Sequence, residues 1–339
     1  MASPEKKRRI FAAAAIGAAL VEGAFILRHV WSLGALPLWT YFAFFGVLVV
    51  AGLGVWTLAT GLTPSWSVPE SVTSPLRFFH PKVFFWESWT EVSREALGEG
   101  KKKIGYEVIV ITLTTAFSLT LVEYFGDRMT ISRIWPEGVD GAYGDLVVFG
   151  WWSFTRFLGY AFIPSISILL TPALRFRSCG LSFRGFSDHL WIYGVLFCVV
   201  LPVVVFISFK EDFKSYYPFY DYASRSWFDF LAWEALYFVQ FLSLEFLFRG
   251  YMIHPLRKYM GAYAIFLMVI PYCMIHYGKP YLEPNAAIVA GVVLGTLSLR
   301  TGSIWCGCLI HITVALSMDL AALAQKGVLA DLLHAPFFH

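Results

Sequence analysis

Long apolar runs recur along this chain, and they constrain its fold more than any other feature. An α-helix needs about 17 to 25 apolar residues to cross a bilayer. Runs of this kind fall near 10–28, 38–61, 104–122, 146–170, 188–208, 231–250, 262–278, 286–300 and 304–324. Only 14% of the 339 residues are charged, whereas soluble domains carry about a quarter. The sequence therefore predicts an all-α fold, a polytopic membrane helix bundle with about nine transmembrane helices.

A long segment separates the first two predicted spans from the others. Residues 63–103 are rich in Pro, Ser and Trp, a composition that favours interfacial elements because Trp prefers the headgroup level. We expect two N-terminal transmembrane helices in 1–62, an aromatic and Pro-rich interfacial loop in 63–103, and a membrane helix bundle in 104–330.

The distribution of Lys and Arg predicts the orientation. Positive residues concentrate in alternate loops, beginning with the run Lys6 to Arg9, which places the N-terminus inside. That run precedes an Ala-rich stretch and resembles a signal peptide, but the many later spans favour a retained signal-anchor. Short loops and the additional N-terminal helices favour a bacterial cytoplasmic membrane. The net charge of +3 forms no basic stripe, so we expect the lipid bilayer as a partner and no nucleic acid.

The cysteines give no sign of a metal or disulfide framework. No CxxC pair occurs, and the five residues lie mostly in or beside apolar runs. We interpret them as small packing residues. They are Cys179, Cys198, Cys273, Cys306 and Cys308.

Ionisable residues inside apolar segments are the best indication of function. Placing such groups in hydrocarbon costs several kcal/mol, so they mark candidate sites. Glu245 and Arg249 are four residues apart and can form an ion pair on one helix surface. A turn near Gly261 would bring His276 to the depth of Glu245. His311 lies shortly after the later turn at Arg300 to Ser303, at a depth that allows it to join them. The sequence predicts a shared site, submerged but nearer the cytoplasmic face.

This set of residue types suits hydrolysis. A carboxylate in a partly dry cavity can act as a general base, while imidazoles position water or stabilise an oxyanion. Glu234, about three turns from Glu245 on the same helix face, is a candidate supporting group. One Glu and two His also form a zinc-ligand set, but these separations resemble no compact metal motif. We therefore expect no cofactor, with zinc as the alternative.

Three motifs in this order resemble the family of CAAX-processing and bacteriocin-processing intramembrane proteases (CPBP, or ABI, family). The first motif of that family is Glu-Glu-x-x-x-Arg, the second an aromatic residue followed four positions later by His, and the third a His followed four later by Asn or Asp. The matching residues are Glu245 to Arg249 with Phe248 and Gly250, Tyr272 to His276, and Thr301 to Trp305 leading to His311. The resemblance covers roughly 146–324.

Two positions depart from the family pattern. Leu244 stands at the first Glu of the first motif, the one usually assigned as base, and Ala315 stands at the polar position of the third. Three interpretations follow: Glu245 itself acts as base, or the chain is a non-catalytic member that binds membrane-embedded partners, or Asp319 substitutes for the missing polar group.

The resemblance implies an intramembrane peptidase that hydrolyses a membrane-proximal bond in a membrane-anchored protein or peptide. Glu245 would activate water, His276 and His311 would assist, and Arg249 and Glu234 would support them. The alternative is a catalytically degenerate member that acts as a membrane binding or scaffold protein. Structural explanations also exist, since Glu245 and Arg249 could simply brace a helix end.

Two further features have structural interpretations. Arg156 lies within an apolar run and needs a partner. Gly291 and Gly295 show the small-xxx-small spacing that lets membrane helices approach closely.

Overall fold

The computed structural model describes residues 106–183 and 186–338, together with the isolated Glu87. The predicted spans 10–28 and 38–61 lie outside the described residues, as does nearly all of the 63–103 segment. The predictions for these regions stay predictions.

Within the described ranges every extended regular element is a helix. We number the helices α1 to α11 in chain order. They are α1 Tyr106–Phe125, α2 Arg128–Ile134, α3 Pro136–Val139, α4 Gly144–Leu170, α5 Phe186–Ile207, α6 Glu211–Tyr216, α7 Trp227–Met260, α8 Tyr263–Met274, α9 Leu282–Thr301, α10 Trp305–Gln325 and α11 Leu329–His334.

Six of these helices, α1, α4, α5, α7, α9 and α10, are long and apolar enough to cross a membrane. The prediction of an all-α membrane bundle is confirmed, and the chain is an integral membrane protein. The count of nine spans is not confirmed, because two predicted spans lie outside the described residues and α8 has only 12 residues. The run at 286–300 forms a full helix of 20 residues.

The predicted span 262–278 is wrong in its extent. Helix α8 ends at Met274, and residues 275–278 form a turn. Pro271 lies inside the helix, and the lack of a proline N–H weakens the backbone hydrogen-bond ladder there. Gly278 has a φ of +85°, a conformation that ends a right-handed helix. His276 therefore lies in a turn after the helix and not within a span.

Two helices contain π-helical segments, and a proline follows each. The segments are Leu158–Phe162 in α4 and Phe246–Ile253 in α7, and the prolines are Pro164 and Pro255. A proline ring clashes with the carbonyl four residues earlier, so a widened turn before it relieves the clash. The wide turn in α7 begins directly after Glu245 and includes Arg249, and π-bulges are frequent at functional sites.

The hairpin of α7 and α8 turns where the sequence predicts. Helix α7 ends at Met260, and Gly261 has a φ of +58°, which favours glycine. Beyond this turn, α8 packs along α9, where the two small residues of α9 face it. A Cβ on Gly291 would lie 2.9 Å from Val269 Cγ2, and one on Gly295 would lie 3.0 Å from Ile265 Cγ2. The close packing predicted from these glycines is confirmed.

We predict that Gly291→Ala destabilises the bundle by about 1–3 kcal/mol, because the added methyl overpacks the α8–α9 contact. Gly194→Ala in α5 is the matched control, since a Cβ there meets nothing within 4 Å and alanine favours the helix by about 1 kcal/mol. Thermal unfolding in detergent measures both. Equal melting temperatures for the two variants would contradict the packing described.

Candidate active site

The candidate site lies on a seam between α7 and α10. Each helix contributes a row of residues at four-residue intervals. The α7 row is Trp233, Tyr237, Phe241 and Glu245, and the α10 row is Gly307, His311, Ala315 and Asp319. The rows run antiparallel: Phe241 stacks on the ring of His311 with centroids 5.3 Å apart, and Trp233 Nε1 donates to Asp319 Oδ2 at 2.6 Å. This register brings Glu245 beside the beginning of α10.

Glu245 lies at the centre of the site and is fully buried. Its Oε1 lies 3.1 Å from Arg249 Nη1 and 2.7 Å from His311 Nδ1. Glu245 and Arg249 have no exposed side-chain surface, and His311 is 15% exposed. The predicted ion pair is present, and the guanidinium offsets the cost of burying the carboxylate.

The contacts of Glu245 leave several polar atoms without partners. Neither close approach to Oε1 has the alignment of a good hydrogen bond. Within residues 106–183 and 186–338, Glu245 Oε2 and the Arg249 nitrogens have no hydrogen-bond partner. Buried polar atoms of this kind are rare in folded proteins.

Gly307 makes room for the carboxylate. A Cβ at this position would lie 2.5 Å from Glu245 Oε2, so no side chain fits without moving Glu245. No motif in the sequence pointed to Gly307. Its one signal is the spacing of one helical turn before His311.

His311 is held at both ring nitrogens. Its Nδ1 faces Glu245 at 2.7 Å, and its Nε2 lies 2.9 Å from the Tyr272 hydroxyl on α8. The stacked ring of Phe241 fixes the plane of the imidazole. The carboxylate, the imidazole and the phenol thus form a continuous polar chain across three helices.

Tyr272 connects this chain back to Arg249. The Arg249 guanidinium carbon lies 4.2 Å from the centre of the Tyr272 ring, which is a cation–π contact. The second motif requires only an aromatic residue at this position, so it predicts no role for the Tyr272 hydroxyl.

His276 lies near this polar chain but makes no direct contact with Glu245. Its Nδ1 lies 2.8 Å from the Tyr272 carbonyl oxygen, and its ring centroid lies 5.0 Å from that of Tyr272. Because a carbonyl only accepts, Nδ1 carries the proton, and Nε2 is the remaining polar atom of the ring. The structure brings Glu245 and His311 into contact and places His276 on the far side of Tyr272.

Glu234 and Asp319 lie together at a distance from Glu245. Asp319 is fully buried, bonded to the Trp233 indole, and adjacent to the Glu234 carboxyl. Glu234 precedes Glu245 by eleven residues, which is about 16 Å along a helix. Asp319 lies two turns beyond His311, so the structure does not bring this pair to the His311 ring.

The two positions that depart from the family pattern are buried and apolar. Leu244 is 3% exposed, and Ala315 is 4% exposed in a cluster with Trp233 and Tyr237. Neither can supply a polar group to the site.

Cys179 is buried in the loop between α4 and α5, and burial raises the pKa of its thiol to about 12, which fits a packing role. In the part of the chain that the structure describes, no three or more His, Cys, Asp or Glu residues are arranged to hold a metal ion. The expectation of no cofactor, with zinc as the alternative, stays a prediction.

Two surface grooves lie away from the site. One of about 360 Å³ runs between α4 and α7 beside Ser153 and Phe157, and one of about 210 Å³ lies beside Arg128 and Arg225. Neither is lined by Glu245, His276 or His311. The candidate site is identified by its buried polar groups and not by a large open cavity.

The helices and the buried polar chain define a membrane protein with an ionisable site inside its bundle. A comparison with protein families narrows this class. Residues 226–317 match the family described as type II CAAX prenyl endopeptidase Rce1-like, which confirms the resemblance predicted from the three motifs. The matched segment extends from the start of α7 into α10 and contains Glu245, His276 and His311. Searches of curated proteins and of solved structures gave no match.

We predict that Arg249→Met destabilises the protein by about 3–5 kcal/mol, because it leaves the Glu245 carboxylate buried without a cation. The double variant Glu245→Met with Arg249→Met should recover most of this loss, since both charges are removed together. Thermal unfolding of the two single variants and the double variant gives the coupling energy. Additive losses would show that the two groups do not form a pair.

We predict that Gly307→Ala moves the Glu245 carboxylate away from His311, because the new methyl occupies the space of Oε2. The destabilisation should be about 1–3 kcal/mol. Gly150→Ala in α4 is the control, as a Cβ there meets nothing within 4 Å. The test compares the melting temperatures of the two variants, and an unchanged value for Gly307→Ala would be inconsistent with this contact.

Proposed function

We propose that the protein is an intramembrane endopeptidase of the CPBP type, hydrolysing a membrane-proximal bond of a membrane-anchored protein or peptide. The contact between Glu245 Oε1 and His311 Nδ1 at 2.7 Å carries this proposal. A buried carboxylate on one imidazole nitrogen fixes the tautomer of the ring and stabilises the imidazolium, as the third group of hydrolytic triads does.

The burial of Glu245 determines how it acts. The carboxylate has no exposed surface and lies between Arg249 and His311. His311 is partly exposed, so its ring has access to a reacting group that Glu245 lacks. We therefore infer that Glu245 activates water through His311, which receives the proton as the general base.

The hydrogen bond of His276 restricts its role. With the proton on Nδ1 and bonded to the Tyr272 carbonyl, neutral His276 can only accept at Nε2. We infer that it orients the attacking water by accepting one of its protons.

The family match suggests the class of substrate. The matched family is described as a type II CAAX prenyl endopeptidase, so a prenylated C-terminal tail is the first candidate. A leader peptide and a C-terminal sorting anchor are the others that the sequence resemblance implies. We place the protein in a bacterial cytoplasmic membrane, as its short loops and the predicted N-terminal helices favour. Its N-terminus would lie inside, as the distribution of Lys and Arg favours.

A second function has specific support. Leu244 and Ala315 are buried and apolar, where the family pattern has polar groups. A member without these groups would keep the fold and bind membrane-embedded partners as a scaffold. In that case Glu245, Arg249 and His311 would serve stability alone.

Cleavage assays in lipid vesicles distinguish the two functions. The probes are an S-farnesylated peptide that ends in Cys-aliphatic-aliphatic-X, a leader peptide and a C-terminal anchor peptide. We expect wild type to cleave at least one, and Glu245→Gln and His311→Gln to be about 100-fold slower or more, the usual contribution of a general base. The matched control is Glu107→Gln, a buried carboxylate paired with Lys258 at 3.0 Å on another part of the bundle.

The catalytic and scaffold functions predict different results in these assays. Equal rates in wild type, Glu245→Gln and His311→Gln would remove the catalytic proposal. If wild type cleaves none of the probes and Glu245→Gln only lowers the melting temperature, the scaffold function is favoured instead.

A further inference from the structure

The third motif of the family pattern predicts a polar group one helical turn after His311, and this chain has none there. Ala315 is 4% exposed and packs in the cluster of Trp233 and Tyr237. Nevertheless His311 Nε2 has a polar partner, because the Tyr272 hydroxyl reaches it at 2.9 Å from α8.

The Tyr272 ring is held from several directions. The Arg249 guanidinium lies over one face at 4.2 Å, and the Phe248 ring meets it edge to face at 5.3 Å. Gly291 on α9 makes room for it, since a Cβ there would lie 3.1 Å from Tyr272 Cδ1. Tyr272 is 1% exposed. A ring so enclosed points its hydroxyl at a fixed place, which is the requirement for a catalytic hydrogen bond.

The tautomer of His311 determines the direction of this hydrogen bond. Glu245 Oε1 lies 2.7 Å from Nδ1, and a carboxylate so close favours the neutral tautomer of His311 that has its proton on Nδ1. Nε2 is then an acceptor, and the Tyr272 hydroxyl donates to it. The phenol oxygen keeps lone pairs that can accept a proton from a water molecule. Because Tyr272 is enclosed, that water has to enter beside the His311 ring, which is 15% exposed.

We propose that Tyr272 is the proton relay between the attacking water and His311, in place of the polar group that position 315 lacks. The inference rests on the proposed peptidase function. As water attacks the carbonyl carbon of the substrate, one water proton passes to the Tyr272 oxygen while the Tyr272 hydroxyl proton passes to His311 Nε2. Tyr272 stays a neutral phenol, His311 becomes an imidazolium paired with Glu245, and the electrons of the carbonyl bond become the oxyanion. On collapse the proton returns along the same path to the leaving amine.

The test compares Tyr272→Phe with Tyr251→Phe. Tyr251 is a matched control because it is fully buried and its hydroxyl bonds to Ser167 at 2.7 Å, away from His311. Both variants remove one buried hydroxyl and keep the ring. We expect Tyr272→Phe to slow cleavage of the S-farnesylated peptide by about 100-fold and Tyr251→Phe to leave it within a few fold of wild type. Their melting temperatures should fall by similar amounts.

A second readout does not depend on activity. Protein labelled with ¹⁵N-histidine gives imidazole nitrogen resonances, and His311 is assigned from its absence in His311→Gln. We expect the Nε2 resonance of His311 to shift in Tyr272→Phe and to stay in place in Tyr251→Phe. The position of this resonance depends on the hydrogen bond itself. A general loss of stability would therefore not shift it.

The two readouts separate the relay from the proposed function. If Tyr272→Phe cleaves at the wild-type rate and its His311 Nε2 resonance does not shift, the relay is overturned. If it cleaves at the wild-type rate and the resonance shifts, Tyr272 makes only a structural contact, and the relay is overturned as well. If wild type cleaves none of the peptides, the peptidase function fails and the relay fails with it, even when the resonance shift confirms the hydrogen bond.

Discussion

The burial of one ion pair inside the bundle sets the conditions for the rest of the site. Glu245 and Arg249 have no exposed side-chain surface, and each charge is tolerable only because the other is near. Their four-residue spacing would allow a pair on any helix, but here the wide turn of α7 begins between them. His311 joins the same carboxylate oxygen from α10. The Glu245 carboxylate therefore connects α7 to α10 and also pairs with Arg249 on its own helix.

Beyond this pair, α7 and α10 continue to pack along the same seam. Aromatic residues fill it between Glu245 and Asp319, so aromatic rings separate the two acidic positions. Each packed aromatic pair of this kind stabilises the seam by about 0.5–1.5 kcal/mol beyond the burial of its area. The His311 ring belongs to the same stack through Phe241, which keeps its nitrogens directed at Glu245 and Tyr272.

The sequence predicted the features that depend on local pattern. Apolar run lengths located α1, α4, α5, α9 and α10 within about four residues, whereas α7 extends to Met260, well beyond its predicted end at 250. They did not predict the short helices α2, α3 and α6. The spacing of Glu245 and Arg249 predicted their contact. The predictions failed or were incomplete where tertiary contacts decide. The span ending at 278 was too long because Pro271 and Gly278 end α8 early. The roles of Gly307 and the Tyr272 hydroxyl follow from which helices meet, and no single segment shows this.

The fixed charge of Arg249 affects the charge balance of the whole site. An arginine stays protonated in proteins, and its positive charge balances the negative charge of an ionised Glu245. An uncompensated charge among apolar helices is strongly disfavoured. Under the proposed peptidase function, the tetrahedral oxyanion of the substrate would offset a proton that enters this site. The site would then favour proton transfer at the step that forms this anion.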